Sequence, residues 1–104
     1  MAYIYLIGRL GGDPEVSYSS KGTKITKFGV AENVYRGGGQ EDQTIWYNVV
    51  LFGDVSAQII PFLKKGSLVQ ISGQYSPREW EEKTTGQKRV SQEIVAHHLA
   101  FVPG

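Results

Sequence analysis

Trp80 stands in S-P-R-E-W-E-E-K-T-T-G-Q-K-R, residues 76–89, where seven of the fourteen side chains are charged. An indole carries more apolar area than such company can cover, so the ring needs a partner. Trp46 and Phe52 raise the same question in Q-T-I-W-Y-N-V-V-L-F-G, residues 43–53. Alternate side chains of an extended chain share a face. One face of this stretch takes Ile45, Tyr47, Val49 and Leu51, apolar throughout; the other takes Trp46, Asn48, Val50 and Phe52. Burying an unpaired amide costs roughly 1–3 kcal/mol, so Asn48 marks the wet face and brings Trp46 and Phe52 toward solvent. Further on, Val69, Ile71, Gly73 and Tyr75 share one face, while Gln70, Ser72, Gln74, Ser76, Arg78 and Trp80 share the other. Trp80 therefore lies on a polar face.

Rings on a wet face, interleaved with Arg and Lys, suit single-stranded nucleic acid. Unpaired bases offer flat π-faces that stack on rings whatever their identity, and cations hold the backbone. Tyr35 and Arg36 add another ring and charge where a glycine-rich loop opens, and Arg9, Lys83, Lys88 and Arg89 are candidate phosphate contacts. Plainer readings stand beside these. Trp46 and Phe52 would finish a core or an oligomer interface, Trp80 would pack beneath the stems of Arg78 and Lys83, and each cation taken singly would be a solvated surface charge.

The elements that must position these residues are mostly strands. Residues 3–10, Y-I-Y-L-I-G-R-L, are rich in β-branched and aromatic side chains and run into the turn G-G-D-P. A second strand is expected from Lys24 to Asn33, a third over residues 43–53, a fourth over 67–76 and a fifth over 89–101, the last two joined across the hairpin E-E-K-T-T-G-Q-K. Between the third and fourth, Val55, Ile59 and Leu63 recur at i, i+4 and i+8. Asp54 suits the N-cap, and Lys64, Lys65 and Gly66 suit the C-terminus of a helix. Pro61 is a fault in that helix and should kink or split it. The order β-β-β-α-β-β predicts an all-β fold: a single domain over residues 1–104, built as a five-stranded OB barrel with one helix between strands three and four to plug its end. An SH3-like barrel is the competing small all-β fold, and it seldom carries a full helix there.

Composition narrows the function classes. The 104 residues are 40% hydrophobic and 20% charged, enough for one modest core. There is no cysteine, which removes disulfides, thiolate catalysis and cysteine-based zinc sites and fits a reducing compartment. No apolar run reaches membrane-spanning length, and the start lacks the pattern of a signal peptide, so a cytoplasmic protein with no membrane partner is expected. Net charge is only +1, less than nucleic-acid binders often carry. No nucleophile–base pair or Walker-type phosphate loop is evident, so no enzyme and no cofactor are expected. His97 and His98 are adjacent in a strand, point to opposite sides and should not share a metal.

The stretches L-I-G-R-L-G-G-D-P-E, W-Y-N-V-V-L-F-G, F-L-K-K-G-S-L-V-Q-I-S-G-Q and R-E-W-E-E-K-T-T-G-Q-K-R, taken in order and with their spacing, resemble the bacterial single-stranded DNA-binding protein family over nearly the whole chain. The resemblance implies an OB-fold that assembles as a homo-oligomer, usually a tetramer. It also implies wrapping of single-stranded DNA in replication, recombination and repair, close to the nucleoid. The family's stacking aromatics carry over to Tyr35, Trp46, Phe52 and Trp80, and its basic contact on the fourth strand to Arg78. Trp80 is then a stacking platform at the base of a hairpin. Asn48, Asp54 and Glu79 stand where well-known members carry basic residues, and Tyr35 where some use tryptophan. Members usually continue into a disordered linker and an acidic tip that recruits other replication and repair proteins; such partners are expected here only through a tail of that kind. An OB module that binds RNA, or one that serves a primosome-type protein contact, is the alternative. A further expectation rests on apolar surface. The face Ile45/Tyr47/Val49/Leu51 and the strand Y-I-Y-L-I-G offer more than one helix can cover, which argues for a tetramer.

Overall fold

The computed structural model describes residues 2–34, 38 and 43–102; Tyr35 and Arg36 lie outside them. Its strands are β1 (Ala2–Leu10), β2 (Glu15–Tyr18), β3 (Lys24–Val34), β4 (Gln43–Phe52), β5 (Leu68–Tyr75), β6 (Arg78–Glu81) and β7 (Lys88–Phe101). Five of them close a barrel in the order β1-β5-β7-β4-β3, with β1 returning to β3. All neighbours are antiparallel except β4 and β7, which run parallel over four residues. This is the five-stranded OB barrel expected from the pattern. The short β2 pairs with β3, and β6 pairs with the start of β7 as a two-stranded ribbon.

Closure depends on close backbone approach. β1 pairs with β5 up to Arg9 and takes up β3 through Arg9↔Ala31 and Leu10↔Val30. At the crossing, a Cβ on Gly8 would lie 2.5 Å from the carbonyl oxygen of Ala31. No side chain fits there. Inside, alternation holds on the barrel strands up to a break in β7. Leu6, Val30, Val49, Leu51, Val69, Ile71 and Ile94 are fully buried. The buried Tyr47 hydroxyl donates to the Glu32 carboxylate at 3.0 Å. Burial first, and then that hydrogen bond and the charge of Glu32, push the phenol up to about 12, so it remains a protonated donor.

The expected helix between the third and fourth barrel strands is not formed. Residues 53–59 are a run of turns, followed by one 3-10 turn at Ile60–Phe62. Two features of the segment account for this. Pro61 sits at the first turn of that 3-10 segment, where its missing N–H costs nothing but where a longer helix could not run through it. Ser56 holds a left-handed backbone, φ 54°, which no α-helix tolerates. The apolar residues still do what the pattern required: Ile60 and Leu63 are buried, and Val55 and Ile59 pack against them to plug the barrel end.

The same serine is tied to a second departure. β7 carries a bulge, because Ser72 pairs with His98 and Gly73 with Ala96, leaving His97 as the extra residue. An extra residue breaks the alternation. His97 and His98 are therefore both exposed rather than on opposite faces. Gly73 permits the approach at the bulge, where a Cβ would meet the Val95 carbonyl oxygen at 2.1 Å. β4 accompanies β7 only to Val95. Beyond it the Ser56 hydroxyl donates to the Leu99 carbonyl and accepts from the Leu99 N–H, each at 3.2 Å, satisfying backbone groups the sheet no longer reaches.

The apolar face Tyr47/Val49/Leu51 needs no second chain, since the barrel itself buries it, with Ile45 packed at its margin. That part of the sequence argument for assembly falls. The outer row of β1 remains uncovered: Tyr3 is 70%, Tyr5 62% and Ile7 48% exposed.

Among the described residues, the core contains one polar fault. Thr26 is fully buried in β3, and its hydroxyl has no hydrogen-bond partner. A buried hydroxyl without a partner costs about 1–3 kcal/mol. Thr26→Val, which keeps the shape and removes the orphan, should raise the melting temperature, with a gain of about 1 kcal/mol in thermal or urea unfolding. An unchanged or lower stability would contradict this account of the core.

Candidate nucleic-acid interface

Register on the barrel wall assembles the outward side chains into rows. Arg9 on β1 pairs with Ala31 on β3, which pairs with Trp46 on β4. The next outward row is Gly29, Asn48 and Glu93, from β3, β4 and β7. Then come Glu15, Lys27, Val50 and Val95, and last Ile25 with Phe52. Residues directly opposite across paired strands share a face. Trp46 and Phe52 therefore bracket two rows that carry the polar Asn48, Glu93, Glu15 and Lys27 on the outside of the barrel. Trp46 is 57% and Phe52 47% exposed, so each ring has a face to offer.

Trp46 is held by a glycine. A Cβ on Gly11 would lie 2.4 Å from Cζ3 and 2.8 Å from Cη2 of the indole. The ring lies directly on the backbone of the bend after β1. That bend is itself anchored by the Gly11 N–H donating to the Gly29 carbonyl at 3.0 Å. The indole is thus supported beneath and open above. A supported ring loses little freedom when a base stacks on it.

Trp80 is positioned by the ribbon. β6 and β7 put Trp80 opposite Arg89, and the hairpin is closed by Glu82 and Gln87 backbone bonding at 2.9 Å. The Arg78 guanidinium carbon lies 5.7 Å from the centre of the Trp80 ring, within cation–π range. The ring nevertheless remains 44% exposed, so this cation flanks it without covering it. Arg89 is ion-paired with Glu82 at 2.8 Å, with Arg89 half-exposed and Glu82 about one-third exposed. Such a pair is worth little and yields easily to a phosphate.

The remaining candidate cations fall on two sides. Arg9 reaches the Trp46 row, with its guanidinium donating to the Gly66 carbonyl at 3.0 Å. Lys83 and Lys88 are exposed along the ribbon, Lys88 opposite Glu81. Sequence reasoning missed Lys27, Glu15 and Glu93, which enter the face only through β3 and β7 register. Alternation along β3 could have found Lys27, since it stands between the inward Thr26 and Phe28. Nothing in the sequence indicated that Gly11 is the seat of Trp46. Among the described residues there is no cluster of groups that could hold a metal ion, and no helix is long and apolar enough to cross a membrane.

Residues 1–102 match the family described as the single-strand binding protein family. A single-stranded DNA-binding protein of Thermotoga maritima is 40% identical over 102 residues, covering 95% of this chain and 72% of that one. Single-stranded DNA-binding protein 1 of Xylella fastidiosa is 37% identical over 101 residues, covering 93% and 74%. Among solved structures, the Plasmodium falciparum SSB complex with ssDNA superposes with a TM-score of 0.78 at 27% identity, covering 99% of this chain and 96% of that one.

The glycine seat yields a direct test. Gly11→Ala must push the Trp46 ring off its support, while the backbone bond to Gly29 stays. Folding stability should change by less than about 0.5 kcal/mol, as for most surface substitutions. In a Trp80→Phe background the remaining indole emission should shift to the red. Affinity for oligo-dT should fall by roughly 1 kcal/mol or more, as for a stacking platform disturbed. Unaltered emission and affinity would contradict the seating of this ring.

Proposed function

Because the chain belongs to the single-strand binding protein family, we infer that this barrel binds and protects single-stranded DNA during replication, recombination and repair, and that it does so largely without regard to sequence. The observation that carries the mechanism is the set of half-exposed rings Trp46, Phe52 and Trp80, with Arg78 flanking the last and Arg9 in the row of the first. Each ring offers a base about 1–3 kcal/mol of stacking. Arg9, Arg78, Lys83, Lys88 and Arg89 take phosphates, and Tyr35 and Arg36 add a further ring and charge. The task is binding, with no chemical step, in the cytoplasm at the nucleoid.

The protein works as a homo-oligomer, a tetramer in this reading. Support comes from the outer row of β1, where Tyr3, Tyr5 and Ile7 stand exposed side by side on one face. Burying such a row is worth far more than leaving it in water. Replication and repair proteins would join only through a C-terminal tail of the family's kind. Light scattering at micromolar concentration should give four times the 11.5 kDa of one chain, and a clean monomer mass would contradict assembly.

The binding reading is tested by competition and by one substitution. Oligo-dT should displace oligo-U and duplex DNA; preference for oligo-U would favour an RNA-binding module, and no binding to any of them a protein-contact module. Trp80→Ala should weaken oligo-dT binding by roughly 1–3 kcal/mol per site with little change in melting temperature, and Trp80→Phe should recover much of the loss. A drop in stability with affinity per folded molecule intact would make Trp80 a structural lid beneath Arg78 instead.

A further inference from the structure

Between the Trp46 and Phe52 rows the barrel wall is hollow. The hollow has a volume of about 450 Å³, and Glu15, Lys27, Asn48, Val50, Arg78 and Glu93 are among the residues that line it. Its depth on one side comes from Gly29, which has no side chain in the row that Asn48 and Glu93 share. Its contents are unusual for a wall that only tracks a sugar–phosphate chain. Two carboxylates, two cations and a carboxamide face one concave space. Among the described residues, the side chains of Glu15, Lys27 and Asn48 make no hydrogen bond or ion pair with one another or with anything else. Glu93 is half-buried, and one of its carboxylate oxygens accepts from the Ser91 hydroxyl at 3.3 Å, leaving the other free.

We propose that this hollow is a base-reading subsite that favours guanine over thymine, resting on the single-stranded DNA reading above. The argument is one of matched edges. A strand stacked on Trp46 and on Phe52 must carry intervening nucleotides across the two polar rows, so a base edge meets the hollow. A carboxylate at neutral pH only accepts hydrogen bonds. Guanine offers it adjacent donors, N1–H and the N2 amine, while its O6 and N7 accept from a Lys or Arg on the other side. Glu93 serves the first edge, and Lys27 the second. Thymine offers one N3–H between two carbonyls, so the same carboxylate would face two oxygens with lone pairs. Adenine, equal in ring size, has an amine but no adjacent ring N–H. Phosphate is a poor occupant, because Glu93 and Glu15 repel it. The protein remains a general binder, with one position in its path biased by the base that rests there.

The test uses the full chain and oligo-dT in which one central residue is replaced by dG or by dA. One dG avoids the self-association of guanine runs. A good two-point base contact corresponds to about a tenfold discrimination, so the dG oligomer should bind about tenfold tighter than plain oligo-dT, and the dA oligomer much less so. Glu93→Gln keeps the size of the side chain and turns half of the acceptor pair into a donor. It should abolish the dG preference, read as the ratio of the variant's own affinities for the dG oligomer and for plain oligo-dT. Binding of all three oligomers with equal strength would overturn the subsite and leave the single-strand reading intact. Equal gains for dG and dA would also overturn it, since ring area alone would then explain them. A dG preference that survives in Glu93→Gln would remove this hollow as its source. Failure to bind any oligomer would overturn the single-strand reading together with the subsite.

Discussion

Alternation along β4 is the constraint on which the rest of this structure depends. Tyr47, Val49 and Leu51 fill the barrel, so Trp46, Asn48, Val50 and Phe52 have no choice but to stand outside. A slip of one residue would put an amide in the core and send Leu51 into water. The pairings of β4 with β3 and with β7 then bring every other outward group into place, from Arg9 at one end of the face to Phe52 at the other. The core and the binding face are thus two readings of a single register. Neither can be altered without the other.

In the proposed function, the face so made relies on stacking more than on charge. The chain carries a net charge of only +1, and its outward rows mix Lys27 and Arg78 with Glu15 and Glu93. For single strands, each phosphate neutralised contributes about −0.7 to the slope of log affinity against log salt. With acids among the cations and Asn48 where a cation could stand, that proposal has fewer phosphates engaged and the rings carrying a larger share. Rings need support to do this well. Gly11 beneath Trp46 and the short ribbon that carries Trp80 opposite Arg89 provide it.

Much of this was legible in the sequence, and the reasons are specific. Five barrel strands were expected within a residue or two of their ends, because alternating apolar residues and turn glycines mark strands strongly. The exposure of Trp46, Phe52 and Trp80 followed from period-two alternation and the presence of Asn48. What failed, failed where long-range contacts decide. The helix over residues 54–66 had good spacing and caps, but Ser56 is held by the backbone of Leu99 on β7, forty-three residues away, and propensity does not see such a partner. His97 and His98 were placed on opposite faces, because a bulge leaves no mark in a sequence until the pairing with β5 is known. The hollow beside Asn48 needed the register of β2, β3 and β7 together. Local pattern set the strands; pairing set the site.

The central claim is that the two tryptophans of this chain meet the bases. Two indoles give two Nε1–H resonances in a proton–nitrogen correlation spectrum, one for Trp46 and one for Trp80, assignable by single Trp→Phe substitutions. Titration with oligo-dT should move both resonances to saturation at the same ratio of DNA to protein, and the backbone amides of Gly11 and Asn48 should follow. If DNA binds with both indole resonances unmoved while amides elsewhere on the barrel shift, the strand lies on another face and this account of the protein is wrong.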